Sequence, residues 1–353
     1  MKFIVSGKLI SDNITMRIAG YLGLALLVAG CVSTREETEP LVRYEFKRAE
    51  MGVPFRIVLY ASTANAAEGA AETAFARIAQ LNDVMTDYDS DSELSRLSQS
   101  SGQDKEVPVS PDLWVVLERA QDLAERSHGA FDVTVGPYVN LWRYARREGA
   151  MPDPDRLAKA RAAVGYTKMQ LDPPHHGVKL LAPNMRLDLG GIAKGYAVDQ
   201  ALRTLGRLGI TNALVSGGGD MAVSGPPPGK PGWRIELGAL DATNAPPARY
   251  VIVSDVGIST SGDLFQRLEV NGTRYSHIID PQTGMGLTDH RLVTVIAPDD
   301  FTADGLTKVM SVLEPKAALK FIAKTPNAFV RIVRKPGAKV EIYQSRGFSQ
   351  FYE

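Results

Sequence analysis

The sequence predicts an α+β fold: a mixed, largely antiparallel sheet layered with helices, within a single large domain. Three observations predict it. Helical and strand periodicities intermix along the chain without the strict βαβ rhythm of a parallel sheet. Leu268, Val270 and Tyr275 alternate around Asn271-Gly272, the strongest short signal for an antiparallel hairpin. No internal repeat of fixed period is present, so a solenoid or propeller is not expected.

Lys+Arg and Asp+Glu balance at 40 each over 353 residues. There is no basic field, and nucleic acid is not an expected partner. Residues 21–30 form an apolar run too short for a comfortable membrane span. The run reads as the apolar core of a signal peptide and ends L-V-A-G-C at Cys31, the single cysteine. Small residues before a cysteine resemble a bacterial lipobox. The expectation is a signal peptide over 1–30, lipidation at Cys31, a tether over 31–43 and one domain over 44–353. The alternative is a generic signal peptide with an incidental cysteine. Met1 and Met16 both fit as the start, the second giving the shorter basic segment. The expected place is the bacterial cell envelope, lipid-anchored and facing the periplasm or exterior. Val32, where an Asp would favour the inner membrane, points to the outer one if the cell has one.

The elements follow in order. Residues 51–60 read as a strand and 66–85 as a helix with Ala71, Ala74, Phe75, Ile78 and Leu81 on its apolar stripe. A loop then carries Tyr88, Asp89, Asp91 and Glu93. Ser110-Pro111 opens a helix as N-cap and first helical residue, and Gly129 can end it. Asp153-Pro154 opens a shorter helix. A hairpin is expected across 173–177, with 178–181 and 185–189 as strands; His175 and His176 sit in its turn and read as exposed, not as a metal site. A helix over 192–205, a strand over 213–216, strands over 233–237, 250–254 and 291–297, a helix capped by Thr302, a helix after Pro315 and two closing strands complete the chain. The polar run S-T-S-G-D at 259–263 reads as a turn.

Several of these residues suggest chemistry. Gly190-Gly191 precedes a helix whose free N–H groups favour an anion, and Lys194 in its first turn adds a cation for phosphate. A packing pair of glycines and a solvated lysine is an equal reading. Residues 217–222 formally fit G-x-G-x-x-A, but no helix follows them, which rejects a dinucleotide fold. Asp304 falls in the first turn of its helix and could equally serve the helix dipole or pair with Lys308 four residues on. His277 and Asp280 stand at a strand-to-turn junction made by Pro281 and Gly284. Taken alone, His277 reads equally as a half-buried strand residue with a satisfied ring.

Six ordered segments resemble the ApbE family, the FAD:protein FMN transferases. They are T-D-Y-D-S-D-S-E-L-S-R-L (86–97), G-A-F-D-V-T-V-G-P-Y-V-N-L-W (129–142), L-D-L-G-G-I-A-K-G-Y-A-V-D (187–199), S-G-G-G-D (216–220), H-I-I-D-P-Q-T-G (277–284) and T-A-D-G-L (302–306). The resemblance implies a T-fold-related fold and Mg²⁺-dependent transfer of FMN from FAD to a Thr or Ser hydroxyl of an exported, flavin-carrying redox subunit, releasing AMP. It places Met51, Tyr88, Ala130, Phe131, Asp132, Asp188, Lys194 and Ile278 at FAD-contacting positions. It assigns Mg²⁺ to Asp304 and the Gly191 carbonyl. His277 becomes a general base that Asp280 orients. One departure stands out. Four residues after the Asp the family usually has a metal-binding Thr, and this chain has Lys308, with Thr307 one place earlier. Thr307, the Lys308 carbonyl, or competition by the Lys308 ammonium are the open possibilities. Two rival readings are an FAD pyrophosphatase yielding FMN and AMP, and a non-catalytic flavin-binding lipoprotein.

Overall fold

The computed structural model describes residues 40–353 apart from 241–248, 265 and 338. The expected signal peptide, Cys31 and most of the tether lie outside the described residues. Strands β1 (Val42–Glu50) and β2 (Val53–Ala61) pair as a hairpin across Met51-Gly52. Both turn residues have positive φ, 49° and 74°, so Met51 belongs to the turn and not to the expected strand. Strand β1 begins inside the expected tether. Its alternation of Tyr44 and Phe46 with charged residues hid it, because only one face is covered.

Thr63 caps α1 (Ala64–Met85), Ser92 caps α2 (Glu93–Gln99), and Ser110 caps α3 (Pro111–Arg126), which follows the short β3 (Val107–Pro108). Helix α4 (Gly136–Glu148) was not anticipated. Tyr138, Trp142 and Ala145 give it a buried stripe at helical spacing. Next come α5 (Pro154–Ala163), the hairpin of β4 (Met169–Asp172) and β5 (Gly177–Leu180), and α6 (Ala193–Arg207). Residues 185–189 are not a strand in a sheet. Their amides are taken by irregular partners, Leu187 N–H by Ser98 Oγ and Asp188 N–H by the Val133 carbonyl. The chain continues with β6 (Ala213–Gly217), β7 (Asp220–Val223), β8 (Trp233–Leu237), β9 (Arg249–Val253), β10 (Val256–Gly262), β11 (Arg267–Val270), β12 (Thr273–Ser276), β13 (Arg291–Ala297), α7 (Asp300–Val312), α8 (Pro315–Ile322), β14 (Phe329–Arg334) and β15 (Glu341–Gln344).

Eight strands form one antiparallel sheet in the order β1-β2-β6-β7-β10-β13-β14-β15. One face carries helices α1, α6, α7 and α8 over a core that includes Phe55, Ile57, Val215, Val293 and Ile332. The other face carries the β8–β9 ribbon, with Val58, Leu214, Trp233, Val251 and Ile258 buried between them. Helices α4 and α5 pack with the β11–β12 hairpin around Tyr138, Trp142 and Ile279.

The S-T-S-G-D run is not a turn: residues 259–262 lie in β10, at the middle of the sheet between β7 and β13. Polar side chains are tolerated there because they find partners across the strands. Ser259 Oγ donates to Asp220 Oδ1 at 2.6 Å, and the hydroxyls of Thr260 and Thr294 are 3.1 Å apart. Helix α7 is capped by Asp299, whose side chain accepts from Thr302 N–H, so Thr302 is inside the helix. Asp304 accordingly sits in the second turn, beyond the free amides of the helix end. A dipole-complementing role is removed by that shift.

Candidate active site

The site is built where the start of α6, the second turn of α7 and the start of β7 meet. Gly190-Gly191 leads into α6 and places Lys194 in its first turn. Lys194 Nζ lies 2.8 Å from Asp220 Oδ2 and 3.6 Å from Asp304 Oδ2, and donates to the Gly190 carbonyl at 3.2 Å. Asp304 Oδ2 accepts the Gly195 N–H at 3.1 Å, and its Oδ1 accepts from Lys308 Nζ at 2.8 Å. Lys308 Nζ also donates to Thr307 Oγ1 at 2.9 Å, and that hydroxyl donates to the Asp304 carbonyl at 2.7 Å. Two ammonium groups thus bracket one buried carboxylate.

Burial works against charge here, and specific partners decide which groups keep it. For Asp304 burial favours the proton, but Lys194 and Lys308 outweigh it and hold the carboxyl below its usual range. For Lys194 burial opposes the charge, and Asp220 and Asp304 overcome it, raising the ammonium above its ordinary range. Asp300 makes no ion pair among the described residues, although its charge acts on Lys194. Burial first, then the charges of Asp220, Asp199 and Asp304, push it well up, and neither of its oxygens has a hydrogen-bond partner among the described residues. Burial and its acidic neighbours thus favour the proton on Asp300.

His277 follows β12. Its Nδ1 lies 3.2 Å from the Gln266 carbonyl, which can only accept, so Nδ1 carries the hydrogen and Nε2 keeps its lone pair. Burial and then the charge of Lys308 lower its pKa to about 4; the Gln266 carbonyl opposes them, and Arg146 and Lys194 add smaller downward pushes. At neutral pH the imidazole is an uncharged base. Asp280 does not orient it. Its Oδ1 accepts from Gln282 N–H at 2.9 Å and its Oδ2 from Thr283 Oγ1 at 3.0 Å, so the carboxylate closes its own turn. That turn is anchored from outside by Trp142 Nε1, which donates to the Gly284 carbonyl at 2.8 Å.

Of the other expected residues, Asp188 joins the cluster through its loop. Its Oδ1 accepts from Gly190 N–H at 2.8 Å, and its Oδ2 pairs with Arg143 at 3.0 Å. Arg143 also pairs with Asp87, and its guanidinium lies 4.4 Å from the centroid of the Tyr88 ring. Tyr88 itself is 81% exposed. Gly191 faces Lys308 and Phe131: a Cβ there would stand 3.0 Å from Lys308 Cγ and 3.5 Å from Phe131 Cε2. Ala130, Phe131 and Asp132 are buried, and Asp132 Oδ1 accepts from both the amide and the hydroxyl of Thr134. That carboxylate is engaged by Thr134 and by the backbone of Tyr166. Ile278 is half-buried after β12, and Met51 lies at the β1–β2 turn.

Sequence reasoning missed Asp220, Ser259, Asp300 and Arg143. Asp220 stood in view after three glycines, but its partner Ser259 is 39 residues away in the run read as a turn. The reading of His175 also missed a neighbour: Glu106, Asp172 and His175 bring one ligand atom each within 4.8 Å of one another on the surface. His176 instead stacks on Trp114, with centroids 4.9 Å apart.

A divalent ion of the Mg²⁺ type takes oxygen ligands in near-octahedral array. The two side-chain oxygens expected to serve it, Asp304 Oδ1 and Thr307 Oγ1, both hold the Lys308 ammonium, and the second Asp304 oxygen holds Gly195 N–H. As arranged, these residues do not fit such an ion.

The ApbE family model matches residues 51–331. The FAD:protein FMN transferase of Haemophilus influenzae is 37% identical over 261 residues, 72% of this chain and 75% of that protein. The FAD:protein FMN transferase of Klebsiella pneumoniae is 31% identical over 96% of this chain and 98% of its own length. Among solved structures, the flavin transferase ApbE from Vibrio cholerae aligns with a TM-score of 0.79 and 29% identity, covering 88% of this chain and all of that one.

Proposed function

The chain belongs to the ApbE family, and from that premise we propose that it is an FAD:protein FMN transferase, moving FMN from FAD to a Thr or Ser hydroxyl of an exported, flavin-carrying redox protein and releasing AMP. The observation that carries the reading is the pairing of two ammonium groups, Lys194 and Lys308, with an uncharged imidazole at His277. A diphosphate needs cations, and an incoming hydroxyl needs a base.

The step follows from those groups. His277 Nε2 takes the hydroxyl proton. The acceptor oxygen forms a bond to the phosphorus on the FMN side, the bond from that phosphorus to the bridging oxygen breaks, and its electron pair leaves with AMP. Lys194 and Lys308 face the charge that gathers on the leaving phosphate. Positioning and charge stabilisation carry most of such a transfer. Tyr88, Phe131 and Ile278, with Met51 and Ala130, are assigned to FAD contacts, and Asp188 to holding the Gly190-Gly191 loop. Asp132 and Asp280 are assigned to their turns. The Mg²⁺ expected from the resemblance has its two side-chain ligands engaged by Lys308.

Acylation of Cys31 and a place in the bacterial cell envelope, facing the periplasm or exterior, belong to the same reading. They rest on the L-V-A-G-C sequence. An anchored enzyme shares a compartment with exported acceptors.

The test is incubation with FAD and a purified acceptor, read by in-gel flavin fluorescence and AMP release. Fluorescence covalently on the acceptor with matching AMP is the expected result. Free FMN and AMP with an unlabelled acceptor would make the protein a hydrolase, and FAD bound but intact would make it a flavin carrier.

A further inference from the structure

Lys308 lies in a largely buried place, with its stem against Gly191. Its side chain is 18% exposed, while Asp304 and Thr307 are fully buried. The three residues lie within one turn of α7, so their contacts are fixed by the helix itself. The lysine stem runs against Gly191, where a Cβ would come within 3.0 Å of Cγ. An ammonium has three donors. Among the described residues Lys308 gives two of them to Asp304 Oδ1 and Thr307 Oγ1, and one is left for a ligand.

Charge points the same way. Lys194 and Lys308 oppose Asp220 and Asp304, so these paired groups offset one another before any ligand arrives. A divalent ion seated at Asp304 Oδ1 and Thr307 Oγ1 would have to share both oxygens with the Lys308 ammonium and meet its charge in a site that water screens poorly.

We propose that Lys308 is the resident cation of this site: its ammonium holds the position between Asp304 and Thr307 that a divalent ion would otherwise take, and FMN transfer by this protein runs without a divalent metal. The second half rests on the transferase reading. The first rests on the contacts of Lys308 and on the ion position that the resemblance implies. In the transfer, the ammonium donates a hydrogen bond to the diphosphate and neutralises the departing AMP phosphate. It exchanges neither proton nor electrons, and the bonds formed and broken are those given above.

The probe is Mn²⁺, titrated into the purified full chain without flavin and followed by electron paramagnetic resonance. Wild type should show no binding that depends on Asp304. Lys308→Thr should gain a site at least about tenfold tighter, because a neighbouring positive charge is gone, and a further Asp304→Asn change should remove it. In the transfer assay, EDTA should leave the wild type unaffected and abolish turnover by Lys308→Thr.

Wild-type Mn²⁺ binding that Asp304→Asn removes would overturn the proposal, as would wild-type transfer lost in EDTA and restored by Mg²⁺. Failure of Lys308→Thr, well folded, to bind Mn²⁺ would overturn it too, since something other than the lysine would then be excluding the ion. If Lys308→Thr does not fold, the two wild-type arms decide by themselves. A protein that binds FAD but labels no acceptor under any condition refutes the transferase reading, while the Mn²⁺ titration still judges Lys308.

Discussion

His277 is uncharged because of what surrounds it, and this has a measurable consequence. With a pKa lowered from 6.5 to about 4, the free base is the main form throughout the neutral range. The transfer rate should therefore stay level as pH falls through 6.5 and drop only near the lowered value. Lys308→Met removes the second-largest cause of the shift, so the acid limb should move upward in that variant. The stability linkage has the opposite consequence on acidification. Between the two values the unfolded chain binds a proton that the folded chain refuses, so this residue's contribution is present above 6.5 and is lost as pH falls towards 4. His277→Ala should slow single-turnover transfer by about 10²–10⁴, the usual worth of a positioned base, with FAD affinity little changed. Loss of FAD binding in proportion to rate would make the imidazole a ligand-holding group instead. The motif around His277 was legible in the sequence because hairpin and turn residues mark it. Asp220 and Ser259 were not, because their hydrogen bond joins two strands whose pairing no local pattern announces. The role of Asp280 was misread for a related reason: its partners are its own turn's Gln282 and Thr283.

Helices α6 and α7 hold the cluster together, and they approach at Gly195. A Cβ there would fall 2.4 Å from the Asp300 carbonyl oxygen and 2.8 Å from Asp304 Cβ. Gly195→Ala must push the helices apart and break the Gly195 N–H to Asp304 bond. It should cost about 1–3 kcal/mol, as overpacked sites do, and lower FAD affinity with it. Gly206, further along α6, is the control, since nothing lies within 4 Å of a Cβ there. Gly206→Ala should stabilise by about 0.5–1 kcal/mol through helix propensity. Equal melting temperatures for the two variants would remove the close-approach argument. At this scale the caps were the most legible feature: Ser110-Pro111 and Asp153-Pro154 start their helices as expected. The errors came where composition masked periodicity. Serine and threonine in β10 looked like a turn, charged residues hid β1, and α4 was overlooked behind the glycine and proline at its start.

The α+β class, the mainly antiparallel sheet and the layering by helices were all legible, because they follow from hairpin signals and intermixed periodicities. The strand order was not, since β10 comes between β7 and β13 through pairings that only the assembled sheet defines. Loss of the proposed acylation at Cys31 should leave flavin transfer intact. Cys31→Ser should abolish lipid labelling and shift the protein to the soluble fraction, with the transfer rate on a soluble acceptor unchanged. Equal labelling and membrane association in the variant would exclude acylation at this residue. The site itself is assembled late in the chain. Asp188 and Lys194 come first, Asp220 and Ser259 follow, then His277, and Asp304 and Lys308 last. A ribosome making this protein has released no working set of groups until Lys308 has emerged and α7 has docked. The cluster is complete only once the segments that carry Asp188 and Lys308 have both been made and packed together.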